Sequence, residues 1–242
     1  MISMDERIID HIKKILPIPK IEDHKNVLCI LPHPDDGEIG AGGTIAKLKS
    51  LGAKVRYIMV TDGSAGIRDK SREETREIRK KEQEKAAEIL GVDEIIWLNY
   101  PDGGEYRIED VKNDLKKHIS LIDPDLIITV DPFLPYEAHP DHKNCGLAVA
   151  HVMMLYPKLV PIALFFTAYP NQFVCIDDYW EKKFEAVTAH ESQVSGEILE
   201  LYKGYFELKA SVYGEKIGCK YAEAFKVMYP IMFHAFEEAL WV

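Results

Sequence analysis

The chain has 242 residues, with 30 Lys and Arg against 40 Asp and Glu for a formal net charge of −10, and 47% of it is hydrophobic. This composition suits one well-cored α/β domain over 1–242 rather than two, and an acidic chain without a basic run is a poor partner for nucleic acid or an anionic membrane. Asp5 and Glu6 stand where a secretory leader would be basic, and the most apolar stretch, 147–169, is broken by His151, Pro157, Lys158 and Pro161; a cytoplasmic, non-membrane protein is expected.

In chain order, apolar β-branched runs at 27–31, 55–60, 95–98, 126–130 and 162–166 read as buried strands. Between them lie helical patterns. A charged segment begins near Ser71 and is closed by Gly91, and Ile108, Val111, Leu115, Ile119 and Ile122 form a single apolar stripe. The alternation predicts an α/β fold with a mostly parallel sheet and right-handed crossovers. From 177 onward the chain reads as mainly helical, packed around that core. Cys29, Cys145, Cys175 and Cys219 lack any CxxC spacing and read as reduced packing residues.

In such sheets ligands bind beyond the carboxyl ends of the strands, so the loops that follow them carry the chemistry. His33-Pro34-Asp35-Asp36 after the first strand is echoed by His139-Pro140-Asp141-His142 after the fourth. Proline favours the first helical position, so each copy can aim the residues at i and i+3 into one crevice. Two imidazoles and a carboxylate are a common ligand set for a catalytic zinc, assigned here to His33, Asp36 and His142. Mn, Co or Fe would also suit it. Asp35 diverges from its neighbouring ligand and is free to take a proton from water; His139, oriented by Asp141, could protonate a leaving amine or stabilise an oxyanion. Each His-Pro-Asp can equally be a helix-capping turn, a role compatible with the catalytic one.

Gly37, Gly40, Gly42 and Gly43 spell neither a dinucleotide fingerprint nor a P-loop, and serve either close backbone approach or entry to a helix. Arg79 either reaches a substrate or pairs with Glu82 on its own helix. Asp102 either binds a sugar hydroxyl or makes an Asp-Gly turn, and the turn is the simpler reading. His190 and His234 stay open on the residues alone. A phosphate-ester metallohydrolase could use the same ligands, though such enzymes commonly recruit two metals and more carboxylates. A non-catalytic sugar- or nucleotide-binding module is the third class.

The chain resembles the PIG-L/LmbE-like zinc N-deacetylases, and within them the diacetylchitobiose deacetylase branch. The resemblance runs from Val27 to about His234 and rests on HPDDGEIGAGGT (33–44), TDG (61–63), the pattern from Arg79 to Val92, WLNYPD (97–102), DPFLPYEAHPDH (131–142), HESQ (190–193) and YGEKIG…YAEAF (213–225). It implies a Rossmann-like three-layer fold with additional C-terminal helices, and one zinc per chain at His33, Asp36 and His142 with Asp35 as base. Substrate contacts at Arg79, Asp102 and His139 are implied too, as is a late-chain histidine, His234, that helps polarise the acetyl carbonyl. Gly37 departs from the Glu that many relatives have after the paired aspartates, and Glu38 follows it. The implied reaction removes acetyl from a small N-acetylglucosamine sugar, diacetylchitobiose or a relative. A thiol-precursor or lipid-linked conjugate is the alternative, and a trimer or hexamer is the expected assembly.

Overall fold

The computed structural model describes residues 5–242; residues 1–4, which belong to the expected 1–242 domain and to the leader reading, lie outside the described residues. The five apolar runs form β1 (Asn26–Leu31), β2 (Lys54–Thr61), β3 (Glu94–Tyr100), β4 (Leu126–Val130) and β5 (Ile162–Phe165), paired in parallel in the order β3-β2-β1-β4-β5. Residues 27–31 and 126–130 are buried throughout because helices cover both faces. Helices α2 (Asp36–Ser50), α3 (Arg72–Leu90) and α6 (Trp180–Thr188) pack on one another, as do α4 (Ile108–Ile122) and α5 (Pro140–Met154), and both groups reach β1. The result is the expected three-layer α/β fold. α1 (Glu6–Ile15), α7 (Gly196–Glu215) and the short α8 (Met232–Ala235) complete it. Among the described residues no helix is long and apolar enough to cross a membrane.

The local signals act as written. Ser71 and Glu74 form a reciprocal capping box at the start of α3, and Gly91 ends it at φ 80, a left-handed cap that glycine takes without strain. Val111, Leu115 and Ile119 bury the stripe of α4.

The region after 177 is not helical throughout. β7 (Ala222–Met228) runs antiparallel to β5 and to β6 (Gln172–Cys175), extending the sheet to seven strands. Two buried charges hide β7 from a search for apolar runs. Glu223 accepts the Gly43 and Thr44 N–H groups and pairs with Lys183, while Lys226 donates to the carbonyls of Leu240 and Val242. Each charge is satisfied, which makes its burial tolerable.

The glycines of α2 serve both proposed uses, since they lie in the helix and allow close approach, Gly37 and Gly40 to the sheet and Gly42 and Gly43 to Lys183 and Ile176. A Cβ on Gly40 would stand 2.1 Å from the Phe165 ring, which is fully buried and has nowhere to go. Gly40→Ala is therefore expected to destabilise by about 1–3 kcal/mol, although alanine is the better helix former. A denaturant midpoint at or above wild type would contradict this packing.

β1 lies between β2 and β4, so the chain leaves β1 toward one side and later returns on the other. The loops after β1 and β4 thus part around a crevice at the carboxyl edge of the sheet, the switch point of a doubly wound fold.

Candidate active site

The two histidine loops meet in that crevice, a cavity of about 360 Å³ lined by His33, Asp35, Asp36, Arg79, Asp102, His139 and His142, with Gln193 and Tyr202 on its rim. The two copies start their helices differently. His139 caps α5 and Pro140 takes its first position, whereas α2 begins at Asp36, with Asp35 as its cap residue and no side-chain capping bond. Asp35 sits at φ 107, a conformation that costs a residue with a Cβ about 1–3 kcal/mol and persists where the surroundings enforce it.

Three side chains offer one atom each within 4.8 Å of one another: His33, Asp36 and His142. His33 Nδ1 lies 3.2 Å from Asp36 Oδ2, and His142 Nε2 lies 3.4 Å from Asp36 Oδ1. The outward nitrogens are held by carboxylates: His33 Nε2 by Asp141 at 3.1 Å and Asp102 at 3.3 Å, and His142 Nδ1 by Glu137 at 3.1 Å. This is the pattern of metal-binding histidines, whose second nitrogen donates to an acid that fixes tautomer and ring orientation. A second group, His33, Asp102, His139 and Asp141, is equally compact. It shares His33 with the first, and its Asp102 and Asp141 carboxylates hold His33 Nε2 while also accepting the Ala65 and Gly103 N–H groups. Either group could hold a divalent cation, and the first has the two-imidazole, one-carboxylate composition common at catalytic zinc.

The electrostatics agree. Burial alone would lower the His33 pKa, yet hydrogen bonds to Asp102, Asp141 and Asp36 raise it well above the ordinary value. Burial likewise opposes the charged form of Asp36, and hydrogen bonds from His142 and His33 outweigh it and hold its carboxyl far below the usual range. A field that keeps a proton on a buried imidazole favours any cation there. Burial pushes the Asp35 carboxyl up to about 6 against the pull of Arg79, helped by the Asp36 charge. Burial and the neighbouring His33 and His142 lower the pKa of His139. With Nδ1 accepting a hydrogen bond, its neutral ring carries the proton on Nε2.

Arg79 does not pair with Glu82, which instead accepts from the N–H and hydroxyl of Ser192 at 2.7 Å each. Arg79 turns into the crevice, 96% buried, with Nη2 3.0 Å from Asp35 Oδ2, a further bond to the Pro34 carbonyl, and Nη1 4.0 Å from Asp102 Oδ2. Asp102 faces His33 rather than merely closing a turn. Asp141, expected to orient His139, lies 3.8 Å from that ring and nearer His33, so its carboxylate chiefly holds the latter. His234 is exposed on α8 and is not among the residues lining the crevice. Glu137, Gln83 and the buried Glu38–His190 pair carry no spacing signal that would have singled them out.

The family model described as "PIG-L: GlcNAc-PI de-N-acetylase" matches residues 28–153. A diacetylchitobiose deacetylase of Thermococcus kodakarensis is 38% identical, with 88% of this chain and 86% of that one covered. A probable N-acetyl-alpha-D-glucosaminyl L-malate deacetylase 2 of Bacillus anthracis is 28% identical, with 76% of this chain and 88% of that one covered. The solved N,N'-diacetylchitobiose deacetylase from Pyrococcus horikoshii, complexed with its inhibitor MPG, superposes with a TM-score of 0.89 at 36% identity over 98% of both chains. With its fold, its paired histidine loops and these relatives in agreement, the chain belongs to the PIG-L family of de-N-acetylases.

Proposed function

We propose that this chain is a cytoplasmic, single-domain, zinc-dependent N-deacetylase that hydrolyses the acetamide of a small N-acetylglucosamine sugar, such as diacetylchitobiose, to acetate and a free amine. The observation that carries the reading is the convergence of His33 Nδ1, Asp36 and His142 Nε2 beside Asp35, a carboxylate outside the ligand set, in a family of deacetylases. Zinc bound there would polarise the acetyl carbonyl and make water a better nucleophile.

The remaining chemistry belongs to the chain. Asp35 takes the proton of the attacking water and passes it to the departing nitrogen, returning to its carboxylate form as the C–N bond breaks. His139, neutral with its proton on Nε2, donates a hydrogen bond to the developing oxyanion. Arg79 and Asp102 line the same crevice and bind sugar hydroxyls.

Acetate release measured over a panel of N-acetylated sugars and conjugates, beginning with diacetylchitobiose, tests the function. No acetate from any member with the metal-loaded protein overturns it. The panel also separates a chitobiose substrate from an N-acetylglucosaminyl conjugate of thiol-precursor, malate or lipid type. The His33, Asp36 and His142 set suits one cation where phosphate-ester hydrolases commonly recruit two, and phosphate release without acetate release would reverse that reading. Elemental analysis distinguishes zinc from Mn, Co or Fe.

Glu137→Gln keeps the size of the side chain but weakens the acceptor that orients His142. Zinc affinity is expected to fall about 10- to 100-fold. Competition against a chromogenic chelator reads this directly, and unchanged affinity would remove Glu137 from the site.

A homo-oligomer, trimer or hexamer, is part of the proposal. α7 leaves Leu201, Tyr205, Leu208 and Val212 exposed along one face, next to Tyr202 on the rim of the crevice. An unpartnered apolar stripe of this kind favours association, and light scattering at micromolar concentration tests it.

A further inference from the structure

Asp35 is held in its left-handed conformation from another helix. Its N–H donates to Gln83 Oε1 at 3.1 Å, and Gln83 Nε2 donates to Glu38 Oε1 at 3.0 Å. These partners decide which way round the amide lies, since a backbone N–H can face only the oxygen and a carboxylate only the nitrogen. Glu38 is anchored in turn by the Tyr57 hydroxyl at 3.2 Å and lies 3.4 Å from His190 Nε2.

Glu38, Tyr57, Gln83 and His190 are all fully buried, and none lines the crevice. Burying a carboxylate, an amide, a phenol and an imidazole together is costly unless the group fixes something that needs fixing. Gln83 stands one helical turn after Arg79 on α3, and the two grip the same residue: Arg79 by the Asp35 carboxylate at 3.0 Å, Gln83 by the Asp35 N–H.

We propose that Gln83 is a positioning residue for Asp35. Together with Arg79 it clamps residue 35 in the backbone conformation that presents its carboxylate to the crevice, and the buried Glu38–Tyr57–His190 cluster locks the Gln83 amide in the required orientation. This gives Glu38, one place later than the usual Glu of the family, a role behind the site. The inference rests on reading Asp35 as the proton acceptor.

Gln83→Met removes both the acceptor and the donor at nearly constant length. The expected result is full zinc content, KM within about twofold of wild type, and kcat for acetate release reduced about 10- to 100-fold, the scale of a misplacement of roughly an ångström. In an Asp35→Asn background the same substitution should cost nothing further, because the effect passes through residue 35. The exchanged pair Glu38→Gln with Gln83→Glu keeps the acceptor for the Asp35 N–H, the bond between the two side chains and the buried charge, and should recover most of kcat. A crystal structure of Gln83→Met should show residue 35 out of the left-handed region. An unmoved Asp35, an additive loss in the Asp35→Asn background, or a loss of zinc each overturns the proposal. Absence of acetate release by the wild type would sink the assigned reaction, and the crystal structure would still decide whether Gln83 holds residue 35.

Discussion

Asp35→Asn is expected to keep one zinc per chain and to lower acetate release by about 10²- to 10⁴-fold, the contribution of a positioned general base. Asparagine has the same shape, and its oxygen can still accept from Arg79, so the clamp on residue 35 survives. What disappears is the only group at that position able to take a proton. The metal content is expected to hold because Asp35 lies outside the converging ligand atoms and its Oδ2 is committed to Arg79 at 3.0 Å. Elemental analysis and initial rates on the same preparation give the answer. Wild-type turnover by the variant would reject Asp35 as the base.

His142→Ala should instead lose the metal. It removes one of three ligands and leaves Asp36 Oδ1 and Glu137 Oε2 facing a gap where an imidazole joined them at 3.4 and 3.1 Å. The fall in zinc affinity should exceed the roughly 10- to 100-fold typical of losing an outer partner, and activity should vanish after dialysis. The side chain is mostly buried but sits at the crevice rather than in the apolar core, so the fold should persist and circular dichroism should match wild type. A full equivalent of zinc retained through dialysis would show that these residues are not its ligands.

The parts of the molecule legible in the amino-acid pattern are those where local chemistry and tertiary packing ask for the same residues. β1 and β4 are apolar on both faces because helices cover both, and a run such as Leu126 to Val130 says so without help. Ser71 and Gly91 bound α3 because a capping box and a left-handed cap have few substitutes. β7 is hidden because Glu223 and Lys226 are buried through partners outside the strand, Gly43, Thr44 and Lys183 for the first and the carbonyls of Leu240 and Val242 for the second. In the site, the spacing within each histidine loop was readable because both members of each i, i+3 pair face the crevice. The clamp on Asp35 was not, because Gln83 and Glu38 are 45 positions apart and look like ordinary helix residues. Nor does sequence spacing reveal that Asp35 adopts a positive φ, or that Asp141 serves His33 more closely than its nearer neighbour His139.

The ring of acids around His33 has an effect on what leaves the crevice. Asp35, Asp36, Asp102, Asp141 and Glu137 together outnumber the charge of a divalent ion and Arg79, so the pocket stays electronegative even when loaded. Such a field repels a newly formed carboxylate anion and attracts an ammonium group. Of the two fragments made by cleaving the amide, the aminosugar is the one this field would hold, and inhibition of acetate release by added aminosugar but not by added acetate is the expected sign of it.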